Sequence, residues 1–325
     1  MSAQLREFDR RGDVRLRVGQ NRDSVAVIFT VCSRSLARVS PVFDRMLYGG
    51  FAEGRSNHGK DGDGWVVNLP EDSPAAMAVL LSIVHGRFEQ VPKALSVDEL
   101  YDLTVLTNFY DATSCLGPWS DKWKAVVEKL ERESNELMPK LLWISWELGW
   151  KDTFTVLSRR MVLESGAEIL SIGADEVQFP PDISERISAI RTQTLRALLG
   201  IFGEMIESLA VVDEKPRWCR HAVWMGHHRC ESMILGSITF CLIRAGLWPL
   251  PDADEVEESV MAIYSKMTSI IIHDIGAVDN SRVDHSDCNP GPFLLDRVQT
   301  MMGEIPNPVT ALHSEYMDEQ MRKLN

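Results

Sequence analysis

The sequence has no apolar run long enough to cross a membrane. Its most apolar stretch, Met233–Leu247, falls short of the ~20 residues a bilayer core requires, and Arg244 interrupts it. It reads as a buried helix, so no membrane partner is expected. The opening residues, MSAQLREFDRRGDV, lack the apolar segment of a signal peptide. No Asn-x-Ser/Thr glycosylation acceptor occurs. Positive charge is scarce as well: 34 Lys and Arg stand against 47 Asp and Glu, a formal net charge of −13. Binding a phosphate backbone needs a basic footprint. The cluster Arg6, Arg10, Arg11, Arg15, Arg17 is diluted by Glu7, Asp9 and Asp13, so no nucleic-acid partner is expected. The six cysteines are spaced too widely for a disulfide framework. These features predict an intracellular protein, cytoplasmic and/or nuclear.

Catalytic signatures are missing too. There is no Gly-x-Ser-x-Gly and no His-Glu-x-x-His. His85, His273 and His313 stand isolated, as structural histidines do. Residues 54–61 (GRSNHGKD) come near a phosphate-binding loop. However, Asp61 stands where a Ser or Thr would ligate magnesium, and a strand follows where a helix should receive the phosphate. Residues 61–64 (DGDG) lack the remaining ligand spacing of a calcium loop. Both read as solvated turns. The chain is expected not to be an enzyme.

What is present is an ordinary globular composition, 45% hydrophobic and 25% charged, over 325 residues. That length suggests about two domains. Val14, Leu16 and Val18 alternate with Arg15 and Arg17, which predicts a strand with one buried face. Val25–Val31 is a continuous apolar run and predicts a second, more buried strand, the pair forming a hairpin. Ser40 followed by Pro41 predicts a helix start with Val42, Phe43, Met46 and Leu47 as its stripe. Trp65–Leu69 predicts a third strand, and Asp72 or Ser73 caps the helix after it. Ser96 and Glu99 form a capping box. From about Leu137 a helical period dominates, with helices expected over 137–149, 152–164, 183–209, 228–245 and 256–273. Trp143, Trp146 and Trp150 recur on one helical face and read as core; the alternative is an exposed binding patch. The expected fold class is α+β at the N-terminus, a small sheet plus helices over 10–130, followed by an all-α region over 136–325.

The N-terminal order, with its residues GDVRLRVG, FTVCSRSLARVSPVFDRMLYGGF and VVNLPEDSP, resembles a BTB/POZ domain. The matching positions are Asp13, Phe29 and Val31, Leu36, Ser40-Pro41-x-Phe43, Leu69-Pro70-x-Asp72, and Tyr110-Asp111. The resemblance covers roughly Gly12 to Val127. One departure stands out: Cys32 occupies a place where the family usually has His. The stretches LLWISWELGWKDTF, CESMILGSITFCLIRAGLWPLP and HSDCNPGP also resemble the helical region of filamentous-fungal BTB proteins. The resemblance implies a protein–protein interaction module, a homodimerising scaffold with a helical partner-binding tail. Its interface candidates here are Leu16, Val39, Val42, Phe43 and Met46. The alternative is a substrate adaptor for a cullin-type ubiquitin ligase, with a cullin as partner around Phe88–Val91.

One chemical constellation stands out in the helical region. Cys219, Cys230, His285 and Cys288 are three thiols and an imidazole, a donor set suited to a structural zinc ion. His285-x-x-Cys288 can present two ligands from one turn. His221, His227 and His228 are rival ligands. No other cofactor is expected. The competing reading is that the cysteines are core residues and the histidines lie on the surface.

Overall fold

A computed structural model describes residues 4–21, 26–51, 53–54, 64–130, 135–170, 176–211, 217–221, 228–274, 276 and 284–325. The near-phosphate loop and the aspartate-glycine turn fall largely outside these residues, as do His227 and Trp224.

Strands β1 (Gln4–Glu7), β2 (Val14–Val18), β3 (Val27–Val31) and β4 (Val66–Leu69) form one mixed sheet in the order β1-β3-β2-β4. Strand β2 runs antiparallel to β3, with Leu16 opposite Phe29, and parallel to β4, with Leu16 opposite Val67. The alternation in β2 is realised: Val14, Leu16 and Val18 are buried, Arg15 and Arg17 exposed. Edge strand β1 pairs parallel to β3 and is exposed throughout. Nothing in its polar sequence marks it as a strand; it is held by pairing alone.

Helices α1 (Ser33–Val39) and α2 (Pro41–Tyr48) follow β3. Asp13 anchors α1 from outside, its carboxylate accepting from the Ser33 N–H at 2.8 Å and the Ser33 hydroxyl at 2.7 Å. Ser40 caps α2 by accepting from the Phe43 N–H at 2.9 Å, and its hydroxyl donates to the Tyr110 carbonyl. Phe43 stacks on Tyr110 with centroids 4.1 Å apart, and the Tyr110 hydroxyl donates to Asp72 at 2.6 Å. His85 lies beside Cys32: its Nε2 accepts from the Cys32 N–H at 3.1 Å. Burial lowers its pKa, which keeps the ring neutral and able to accept. Helix α3 (Pro74–Val84) is capped by Ser73, and α4 (Val97–Phe109) by the Ser96–Glu99 box.

Then come α5 (Gly117–Leu130), α6 (Met138–Glu147), α7 (Lys151–Glu164), α8 (Ala167–Leu170), α9 (Ile183–Ala210), α10 (Arg229–Arg244), α11 (Val260–Thr268), α12 (Gly291–Gly303) and α13 (Ala311–Leu324). The chain is thus an α+β unit at the N-terminus followed by helices. Helix α11 is shorter than the 256–273 expected from its period, because Ser259 caps it late and residues 269–274 are not helical. Neither α12 nor α13 is among the helices that the sequence period predicts. Helix α13 is so rich in charge that its only buried residues are His313, Met317 and Gln320.

Two compact units result: Met1–Leu157 with Gly173–Pro180 and Val309–Asn325, and Ser158–Ile172 with Pro181–Pro308. This division differs from a boundary near Asn135. Every residue of helix α6 except Lys140 is buried, and α13 returns to it. Trp146 stacks on Tyr316 with centroids 4.1 Å apart. Gly149 (φ +69°) permits this approach, since a Cβ there would lie 2.6 Å from the Met317 carbonyl. Trp123, Trp143, Trp146 and Trp150 are core residues, whereas Trp248 is exposed.

Glu147 ends α6 as a buried carboxylate. It accepts from the Thr113 hydroxyl, Asn108 Nδ2 at 2.8 Å, the Tyr316 hydroxyl at 3.2 Å and Gln320 Nε2 at 3.0 Å. Burial raises its pKa against the opposing pull of these donors. Glu147→Ala removes the acceptor that all four donors share and leaves the Asn108 and Gln320 amides only the Tyr316 hydroxyl. At about 1–3 kcal/mol per stranded buried group, and with partial relaxation, we expect a loss of about 3 kcal/mol in denaturant unfolding. Glu147→Gln keeps an oxygen for Asn108, Tyr316 and Gln320 and offers its amide to the Thr113 oxygen, so it should cost about 1 kcal/mol or less. The raised pKa fixes the sign with pH. The wild-type contribution is fully present below the unfolded carboxyl pKa of ~4.3 and is lost as pH rises through the folded value; the Gln variant lacks that decline.

In the other unit, α10, α11 and α12 pack on the long helix α9. Leu195, Leu198, Phe202 and Met205 meet Ile234, Ile238, Leu242, Val260, Ile263, Leu294 and Val298. The buried guanidinium of Arg191 donates to the Val256 carbonyl at 2.8 Å and the Glu258 carbonyl at 2.7 Å.

Candidate metal centre

Both α10 and α12 lie against α9, and this brings their N-terminal ends under one cluster. Cys230 sits in the first turn of α10. His285 and Cys288 bracket a turn closed by the Cys288 N–H donating to the His285 carbonyl at 3.0 Å. Asn289 then leads into α12; its Oδ1 accepts from the Gly291 N–H at 2.9 Å, and its Nδ2 donates to the Ile272 carbonyl at 2.9 Å. Cys219 comes from the segment 217–221.

The Sγ atoms of Cys219, Cys230 and Cys288 and a ring nitrogen of His285 all lie within 4.8 Å of one another, and all four residues are buried. The His285 Nδ1 is 3.5 Å from Cys219 Sγ and 3.8 Å from Cys288 Sγ. A second layer holds these donors. Glu231, 1% exposed, accepts from the Trp218 N–H at 2.5 Å and the Cys219 N–H at 3.2 Å. The indole of Trp218 donates to the Cys288 carbonyl at 2.7 Å. On the outer side, His221 Nε2 and Asp287 Oδ1 are 2.7 Å apart, and the His221 ring meets the His285 ring edge-on at 5.1 Å.

Without an ion, burial pushes the Cys230 thiol well above the ordinary range and the neighbouring Cys219 and Cys288 thiols raise it further, while burial also raises the Cys288 thiol against the opposing pull of a backbone hydrogen bond from Arg220. A divalent cation removes that penalty by binding the thiolates directly. Four converging donors, three of them sulfur, suit a borderline or soft ion in a closed site with no vertex left for substrate.

The four ligands singled out from sequence are thus brought together. Of the rivals, His221 is adjacent but outside the cluster, and His228 pairs with Glu231 at 3.5 Å. Sequence reading missed Glu231 and Trp218, and no spacing signal marks them. The interface candidates need a correction. Leu16 and Phe43 are fully buried in the core of their own chain and offer no surface to a partner. Val39, Val42 and Met46 are half-buried on α1 and α2. His313 is an α13 cap residue, its Nδ1 accepting from the Thr310 N–H at 3.0 Å. Among the described residues no helix is long and apolar enough to cross a membrane.

Fold and site together define an α+β protein whose helical unit carries a buried Cys3His cluster. No family model, curated protein or solved structure matches the chain.

Proposed function

We propose that this chain is a BTB/POZ-type interaction protein that self-associates, with a structural zinc ion stapling its helical unit. The observation that carries self-association is a surface on α2 and the residues after it. Val42 and Met46, half-buried, join Phe51, 57% exposed, around a shallow cavity of about 350 Å³ that Arg45 and Glu53 complete. An apolar patch with a polar rim is the anatomy of a protein interface. A two-fold interface uses such a patch twice. The BTB/POZ assignment draws support from the way its matched positions interlock. Asp13 holds α1, Ser40 caps α2, and Phe43, Tyr110 and Asp72 form one stacked and hydrogen-bonded column.

The zinc assignment draws support from distances. Zn–S bonds of about 2.3 Å and Zn–N bonds of about 2.0–2.1 Å give tetrahedral S···N edges of about 3.6 Å. The His285 nitrogen sits at 3.5 Å and 3.8 Å from two of the sulfurs.

Sedimentation of the full chain tests self-association. Wild type should form a concentration-dependent dimer, and the Val42→Asp, Met46→Asp double variant should weaken it about 100-fold, close to 3 kcal/mol. A wild-type monomer at the highest reachable concentration overturns the scaffold reading. The adaptor reading has one observation in its favour: Phe88 is 60% exposed on the turn Phe88–Gln90. A monomeric wild type that co-purifies with a cullin would favour it over the scaffold.

A further inference from the structure

The Cys3His cluster does not use all the donors gathered at this place. His221 Nε2, Asp287 Oδ1 and Cys288 Sγ form a second group whose donor atoms also lie within 4.8 Å of one another. His221 and Asp287 are on the outer side, with side chains 30% and 56% exposed. Asp287 Oδ1 is 3.9 Å from Cys288 Sγ. The buried sulfur of Cys288 is the donor common to both groups.

We propose that the site is binuclear: a second divalent cation binds His221 and Asp287, with the Cys288 thiolate bridging it to the ion in the buried cluster. This rests on the Cys3His cluster being the first metal site. Two physical arguments carry it. The first is charge. Three thiolates around one divalent ion leave a net negative charge in a buried place, and such a charge is costly unless paired. A second divalent ion bound with the Asp287 carboxylate brings the two ions and their own ligands to neutrality, and the Glu231 carboxylate behind them is held by the Trp218 and Cys219 N–H groups. The second is donor chemistry. Imidazole, carboxylate and thiolate together select zinc or cobalt over magnesium or calcium, which prefer oxygen ligands alone.

The two positions differ in kind. The inner one is enclosed by four protein donors. The outer one has three and faces solvent, so water completes its coordination. It is the weaker site, and the one whose ion exchanges freely.

The test uses the full chain stripped of metal and titrated with zinc, then with cobalt as a spectroscopic stand-in. Wild type should take up two equivalents, the first tightly and the second more weakly. The cobalt-thiolate absorption should arise mostly with the first, which has three thiolates, and grow by a smaller step with the second through the Cys288 bridge. His221→Ala with Asp287→Ala should bind one equivalent and keep the larger step of that absorption. A wild type that stops at one equivalent overturns the outer position and leaves the inner one standing. Two equivalents persisting in the double variant also overturn it, since the second ion is then adventitious. A wild type that binds none overturns the inner site together with the outer.

Discussion

Stripping the metal from the full chain, or replacing Cys219→Ser together with Cys288→Ser, should produce the largest loss of stability. Structural zinc contributes about 10–16 kcal/mol in zinc-finger peptides near pH 7. Here α9, α10, α11 and α12 already share an apolar core, so only part of that is folding energy. We expect about 5 kcal/mol, a fall in Tm of about 10–20 °C for a unit of this size. Calorimetry before and after chelation measures it; an unchanged Tm in metal-replete and metal-stripped protein would sink the structural role. The pH dependence gives an independent check because its sign reverses. In metal-free protein the raised thiols of Cys230 and Cys288 stay protonated when unfolded ones ionise. Their contribution is fully present below the unfolded thiol pKa of ~8.5 and is lost as pH rises above it. In metal-loaded protein the ligands are thiolates, so acid competes with the ion and stability rises with pH.

Phe43→Ala should come next, at about 3–5 kcal/mol, the usual cost of removing a fully buried phenyl ring. The ring is wholly inaccessible and lies flat on Tyr110 with an interplanar angle of 2°. Its loss leaves a cavity beneath α2, and the column that runs through Tyr110 to Asp72 loses its first member. Urea unfolding of dilute protein reads the effect directly. A cost below about 1 kcal/mol would contradict core packing and return Phe43 to the set of partner-facing residues. Val42 and Met46 supply the contrast, because polar changes there should leave monomer stability nearly untouched.

Leu16 and Phe43 show where sequence reading stops. Periodicity identified the apolar side of β2 and α2, and the structure gives both residues that apolar side. Periodicity does not say what covers such a side. Sheet and helix of the same chain cover Leu16 and Phe43, while Val42 and Met46, on the same helix as Phe43, keep part of their surface. The caps were legible because they are local: Ser40, Ser73 and Ser96 each act on the helix that follows within three residues. Strand β1 and helix α13 were not, since each is held by distant partners. The Gln320 amide meets Glu147 across 173 positions of sequence.

By itself the sequence determined the element types along most of the chain, the starts of its capped helices, and the identity of four metal-competent donors. Those properties depend on backbone propensity, short-range hydrogen bonds and side-chain chemistry, all of which travel with the residue. Only the tertiary structure decided that Cys219, Cys230, His285 and Cys288 converge, because that requires α10 and α12 both to pack against α9. It alone set Glu231 and Trp218 behind them and His221 and Asp287 beside them, where long-range packing, and no spacing rule, makes a neighbour.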